Sequence, residues 1–176
     1  RSRKAIADRL AVDRTVILGL AEQIYADPEL SGEERRAHER CTAVLEKAGF
    51  EVRRVDGIPT AFVAEVAGTE AGPRVGLLAE YDALPGLGHA CGHHLIAGSA
   101  VGAGLVAAAW RSSFRGTLVV YGCPAEETLR GKPMMLEAGA FAGLDYALSF
   151  HAHDVTSTMR SSNGLTHLTF TFAGRP

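Results

Sequence analysis

The sequence predicts an α/β fold, a mixed central sheet flanked by helices, and three observations carry that reading. Segments with helical apolar spacing alternate with apolar runs of strand length. One of those runs, Val75-Gly76-Leu77-Leu78-Ala79, is continuously apolar, which suits a strand covered on both faces. Potential metal ligands stand at the ends of three such runs, at Asp82 to His94, at Glu126-Glu127 and at His151 and His153. Strand ends are where an α/β protein builds its site.

Taken in order, residues 5–26 carry Ile6, Leu10, Ile17, Leu20 and Ile24 at helical spacing, and Asp27-Pro28 stops the helix. Ser31-Gly32-Glu33-Glu34 has the form of a capping box, with Ser31 and Glu34 bonding reciprocally to each other's amides. A second helix follows to about Ala48, and Gly49 closes it in a left-handed cap. Phe50 to Val55 and Ala61 to Val66 read as two strands joined through Asp56-Gly57-Ile58-Pro59. Gly72-Pro73 reads as a turn and Arg74 to Tyr81 as the third strand, with Asp82 at its end.

From Gly92 to Trp110 small residues dominate, among them Gly98, Gly102 and Gly104. A helix so rich in glycine is poor in isolation, by about 1 kcal/mol per Gly relative to Ala, so close packing against neighbours must hold it. Gly116 to Gly122 is a fourth strand, Lys132 to Ala138 a helix ended by Gly139, and Asp145 to Phe150 a fifth strand. A short strand is expected at Thr156 to Arg160. Thr166 to Phe172 alternates, with Leu168, Phe170 and Phe172 on one face, as in a half-exposed antiparallel strand.

Composition narrows the function. With 176 residues, 47% hydrophobic and 22% charged, the chain can bury a core. A formal net charge of −2 gives no footprint for nucleic acid or membrane. No apolar run reaches the length of a membrane span. Cys41, Cys91 and Cys123 show no pairing pattern, so a reducing compartment, the cytoplasm, is expected.

The chemistry centres on Gly88-His89-Ala90-Cys91-Gly92-His93-His94. A thiolate and an imidazole two residues apart in a Gly-flanked turn can point into one cleft, and both ligate zinc. There is no CxxC pair for a structural zinc finger. Glu126 and Glu127 follow an apolar strand through Cys123-Pro124-Ala125, so one carboxylate can bind a metal while its neighbour accepts a proton from water. The rival chemistry is a Cys91 nucleophile activated by His89 or His93; it leaves Glu126-Glu127 without a role.

Ala79-Glu80-Tyr81-Asp82-Ala83-Leu84-Pro85-Gly86 with His89-Ala90-Cys91-Gly92-His93-His94, together with Pro124-Ala125-Glu126-Glu127 and Asp27-Pro28-Glu29-Leu30-Ser31, resembles the M20 metallopeptidase family. The similarity is to its aminoacylase and amidohydrolase branch, in the form found in aminobenzoyl-glutamate hydrolases and related dipeptidases. The resemblance implies a metal-dependent hydrolase that cleaves the amide of an N-acyl amino acid or dipeptide with metal-activated water. It implies two divalent ions, zinc or manganese, with Cys91, His93, Glu127 and His151 as ligands and Glu126 as general base. Asp82 and His94 would support the ligands from behind; His94 stands where the family has Asp or Asn, and His153 lies off the matched position. The resemblance further implies that residues 1–163 are the N-terminal part of the catalytic domain and 164–176 the first strand of a lid. A distal histidine ligand and a homodimer surface would lie outside the chain, leaving the 176 residues inactive by themselves. The alternative class is a metal-poor, non-catalytic relative with a binding or regulatory role.

Overall fold

Two turns and two strand-to-helix crossovers arrange the chain into one five-stranded mixed sheet, seen in a computed structural model that describes residues 2–158, 168 and 170–174. Helix α1 spans Ser2–Ala26 and α2 spans Arg35–Lys47. The strands are β1 (Glu51–Val55), β2 (Ile58–Ala67), β3 (Glu70–Glu80), β4 (Arg115–Cys123) and β5 (Tyr146–Leu148). Helix α3 (His93–Ala109) connects β3 to β4, and α4 (Gly131–Glu137) connects β4 to β5. The spatial order is β1-β2-β4-β3-β5. The β1/β2 and β2/β4 pairs are antiparallel, whereas β3 runs parallel to both β4 and β5. The fold class predicted from the sequence is the one observed.

Alternation along β4 divides the core. Val120 faces Leu20, Ile24, Cys41, Leu45, Phe62, Tyr81 and Val101, the layer made with α1, α2 and α3. Val119 and Tyr121 face Val63, Met135 and Ala140, the layer under α4. Small residues let α3 approach its neighbours: a Cβ at Gly98 would lie 3.2 Å from Ala21 Cβ, and one at Gly102 2.9 Å from Ile17 Cδ1. The helix is therefore held by tertiary contact, as its composition requires. No helix among the described residues is long and apolar enough to cross a membrane.

The end of α2 follows from its sequence. Gly49 takes φ +88°, its N–H donates to the Glu46 carbonyl, and the Phe50 N–H donates to the Leu45 carbonyl. That is the paired-bond pattern of a Schellman cap, sealed by burial of Leu45 and Phe50.

Five local expectations are revised. Asp56-Gly57 alone forms the hairpin turn, and Ile58 and Pro59 already belong to β2; a two-residue Asp-Gly loop is a favoured hairpin connection. Gly72-Pro73 is an irregularity inside β3, between Glu70 paired with Arg115 and Arg74 paired with Thr117. A proline cannot donate to the ladder, and a bulge spares it that duty. The capping box of Ser31 and Glu34 does not form, because both side chains are engaged elsewhere; the Arg36 and Ala37 amides at the start of α2 donate to the Glu29 carboxylate instead. The fifth strand is only three residues long, with Tyr146 and Leu148 exposed. Thr156 to Thr158 are not extended into a strand; the rest of the two C-terminal strands expected from the sequence lies largely outside the described residues.

Candidate metal centre

The parallel strands deliver the site. In a strand, residues two apart share a face, so Glu80 at the end of β3 and Asp82 just beyond it lie close together. β4 ends at Cys123 and passes into the loop 124–130, which carries Glu126 and Glu127. Gly92, at φ +81°, turns the chain into α3 so that His93 is its first residue.

His93 is fully buried. Its Nδ1 lies 3.0 Å from both Asp82 Oδ1 and the Asp82 carbonyl. Two acceptors on one ring nitrogen place the hydrogen there and leave Nε2 free to ligate, an orientation common to metal-binding histidines. Nε2 points at three carboxylates, 3.5 Å from Glu80 Oε2, 3.6 Å from Glu126 Oε2 and 3.8 Å from Glu127 Oε1. Glu80, His93 and Glu126 each offer a ligand atom within 4.8 Å of the others. The Cys91 thiol sits against the Glu127 carboxylate, and the His151 ring meets the His93 ring edge-on at 5.9 Å between centroids.

Charge around this point is one-sided. Burial raises the Glu126 carboxyl above its ordinary range, against the pull of Lys132. Burial would also raise Asp82, but hydrogen bonds from His93, the Glu127 amide and Ser31 outweigh it and hold this carboxyl low. Lys132 is the nearby cation, with Nζ 2.6 Å from Glu80 Oε1 and 3.9 Å from Glu126 Oε1. A cleft of about 300 Å³ opens beside Glu126, lined by Ala125, Leu129, Gly131, Lys132 and Pro133.

The donor set fits a divalent ion. His93 Nε2 and Glu127 Oε1 are buried without a hydrogen-bond partner, and such atoms in a native interior call for a ligand. Imidazole, thiol and carboxylate together suit zinc, and imidazole with carboxylate suits manganese.

Of the residues singled out from the sequence, Asp82, Glu126 and Glu127 surround His93, and Cys91 lies against Glu127. His151 is exposed, reaching His93 only by its ring while its Nδ1 lies 2.8 Å from the Ala152 carbonyl. The His94 ring lies 4.9 Å from that of Tyr25 and 5.3 Å from that of His89. His153 is exposed and pairs with Asp154. Sequence reasoning missed Glu80 and Lys132, and gave Ser31 and Glu34 only a helix-capping role. The signal for Glu80 was its place two residues before Asp82 at a strand end.

A model of peptidase family M20/M25/M40 matches residues 76–166. The chain is 37% identical over 166 residues to a p-aminobenzoyl-glutamate hydrolase component of Escherichia coli, covering 83% of this chain and 34% of that protein. It is 42% identical over 162 residues to Xaa-Arg dipeptidase of Mus musculus, covering 85% of this chain and 38% of that one. Among solved structures, the Bacillus subtilis YXEP protein, a dinuclear metal-binding peptidase from family M20, aligns with a TM-score of 0.74 at 28% identity, over 78% of this chain and 42% of that one. The chain thus spans little more than a third of the two curated relatives' length.

Proposed function

The chain belongs to peptidase family M20/M25/M40, and on that premise we propose that its intact protein hydrolyses the amide bond of an N-acyl amino acid or dipeptide. Its relatives are hydrolases of the peptidase and amidohydrolase kind. Cys91, His93, Glu127 and His151 would hold two divalent ions, zinc or manganese, with Glu80 facing the same atoms. A divalent ion bound there polarises water and the amide carbonyl, which lowers the barrier to attack.

The chain's own residues supply the proton chemistry and the frame. Glu126, at the mouth of the cleft, accepts the proton of the attacking water and returns it to the departing amine. Asp82 holds the His93 ring by Nδ1 and so fixes where Nε2 points. Lys132 pairs with Glu80 and keeps one positive charge beside the carboxylates.

The observation that carries this reading is the convergence of a buried, unpartnered His93 Nε2 with Glu126 Oε2 at 3.6 Å. The substrate class follows from the relatives, whose names give p-aminobenzoyl-glutamate, Xaa-Arg dipeptides and N-acetylcysteine as substrates. Each joins an acyl group to an amino acid. Three free thiols, Cys41, Cys91 and Cys123, support a reducing compartment, the cytoplasm.

In the intact protein, Glu126→Gln should keep its metal and lose turnover by about a hundredfold or more, since an amide cannot take the proton. The assay is hydrolysis of p-aminobenzoyl-glutamate, alanyl-arginine and N-acetylcysteine, with metal measured by elemental analysis. Wild-type turnover in metal-replete Glu126→Gln would remove Glu126 as the base. No hydrolysis of any of the three by the metal-loaded wild type would favour a non-catalytic binding role instead.

A further inference from the structure

The loop that carries Glu126 adopts a conformation its own residues disfavour. Ala125 and Leu129 stand at φ +53° and +56°, the left-handed region that residues with a Cβ rarely enter. The loop also closes so tightly that a Cβ at Gly131 would meet the Pro124 carbonyl oxygen at 1.6 Å. Such strain persists only where the surroundings over-determine it.

Two carboxylates do so here. The Ala125 N–H donates to Glu34 Oε1 at 2.8 Å, and the Glu127 N–H donates to Asp82 Oδ2 at 2.9 Å. The amides on either side of Glu126 are therefore both held. The two carboxylates are themselves tied to one turn: Ser31 Oγ donates to Asp82 Oδ2 at 2.7 Å, and the Gly32 N–H donates to Glu34 Oε1 at 2.8 Å. Glu34 is fully buried, and its Oε2 has no partner. An interior carboxylate with an unsatisfied oxygen is expensive to keep, and helix capping does not account for it, since the first-turn amides of α2 at Arg36 and Ala37 donate to the Glu29 carboxylate and not to Glu34.

We propose that Glu34 is a positioning residue for the reaction: by fixing the Ala125 amide in its left-handed conformation it sets the backbone from which Glu126 reaches the site. This rests on Glu126 being the general base. Glu34 touches neither substrate nor metal in this role and acts only through the loop. A displacement of about 1 Å in a catalytic group can cost about a hundredfold in rate, so a shift in Ala125 is felt at the carboxylate of its neighbour.

The test uses the intact, metal-loaded protein, with kcat and KM on p-aminobenzoyl-glutamate or alanyl-arginine, metal content by elemental analysis and folding by thermal melting. Glu34→Asp keeps the charge but withdraws the oxygen by one C–C bond, about 1.5 Å. It should lower kcat by about a hundredfold with KM and metal content little changed, the signature of an interaction realised in the transition state. Glu34→Gln retains an acceptor oxygen at full reach and should stay within about tenfold of wild type. Glu34→Ala should behave as Glu34→Asp; should it fail to fold, the Asp and Gln variants decide the matter between them. Wild-type kcat in folded Glu34→Asp, or a loss of kcat that only follows loss of metal, overturns the proposal. Glu126→Gln run alongside separates the premise from the inference. Full turnover there removes the base and with it the role of Glu34, whereas an inactive Glu126→Gln beside a fully active Glu34→Asp removes Glu34 alone.

Discussion

The thiols of Cys41, Cys91 and Cys123 occupy different electrostatic settings. Cys41 and Cys123 are buried in the two core layers, and burial pushes each thiol up to about 12. Cys91 is pushed up to about 11, first by its hydrogen bond with Glu127 and then by burial and the neighbouring carboxylates. A nucleophilic cysteine needs the opposite shift, so the metal-free geometry speaks against Cys91 as a nucleophile. A divalent cation beside Cys91 would reverse its setting and stabilise the thiolate. Iodoacetamide should therefore leave Cys41 and Cys123 unlabelled in the folded chain, label Cys91 slowly at neutral pH, and be blocked at Cys91 by added zinc. Cys91→Ser should bind metal more weakly, because a neutral hydroxyl is a far poorer ligand than a thiolate; equal occupancy of mutant and wild type at limiting metal would take Cys91 out of the site. Cys91, His93, Glu126 and Glu127 were legible in the sequence because they fall in two short stretches off apolar runs. Ser31 and Glu34 were misread because local spacing allowed a capping box, while their partners Asp82 and Ala125 lie 51 and 91 residues away. Pairing at that separation leaves no trace in local spacing.

At the scale of elements, the sheet is tied across β4 by a polar clasp. Arg74 on β3 reaches over to Glu65 on β2, with Nη1 2.8 Å from Oε2 and Nη2 bonded to Oε1. The Arg74 guanidinium holds the Glu65 carboxyl below its usual range. A carboxyl depressed in the folded state stabilises the fold fully above its unfolded pKa of about 4.3. That stabilisation is lost as pH falls through the folded value. Glu65→Gln should thus lower stability near neutral pH by about 1 kcal/mol, a modest figure because the pair is partly exposed, and the gap from wild type should close as the solution is acidified below about pH 4. Denaturant melts of both proteins at neutral and acidic pH measure it; a constant gap across the range would deny the clasp its charge. Arg74 read from sequence as the first residue after a turn, and only the bulge at Gly72-Pro73 shows it to lie well inside β3. Glycine-proline signals a break in the ladder, but a turn and a bulge share that signal. The helices were more legible than the strands because their stop signals, Asp27-Pro28 and Gly49, act on the local backbone alone.

Across the whole molecule, the site is assembled from parts that meet only in the folded state: the turn before α2, the ends of β3 and β4, the start of α3 and the residues after β5. Folding brings Glu80, Asp82, Glu126 and Glu127 around His93, with Lys132 as the nearby cation. Two like charges 4 Å apart repel by about 4 kcal/mol at an effective dielectric of 20, so the folded metal-free chain works against its own charge at this point. A cation that binds the folded state alone relieves the repulsion and stabilises by about 2.7 kcal/mol at a hundred times its Kd. For a chain of this size that is a rise in melting temperature of about 5–10 °C. Chelation should lower the melting temperature of the protein, and zinc or manganese should restore it. Magnesium should do so poorly, since it favours oxygen ligands and sheds its water reluctantly. Glu127→Gln gives the complementary sign. It removes one carboxylate charge while leaving the backbone bond from Glu127 N–H to Asp82 in place. The variant's metal-free melting temperature should therefore hold or rise while its response to zinc shrinks. A melting temperature indifferent to chelator and to every metal, in wild type and variant alike, would mean that the cluster tolerates its charge without a cation and that the site is not built to hold one.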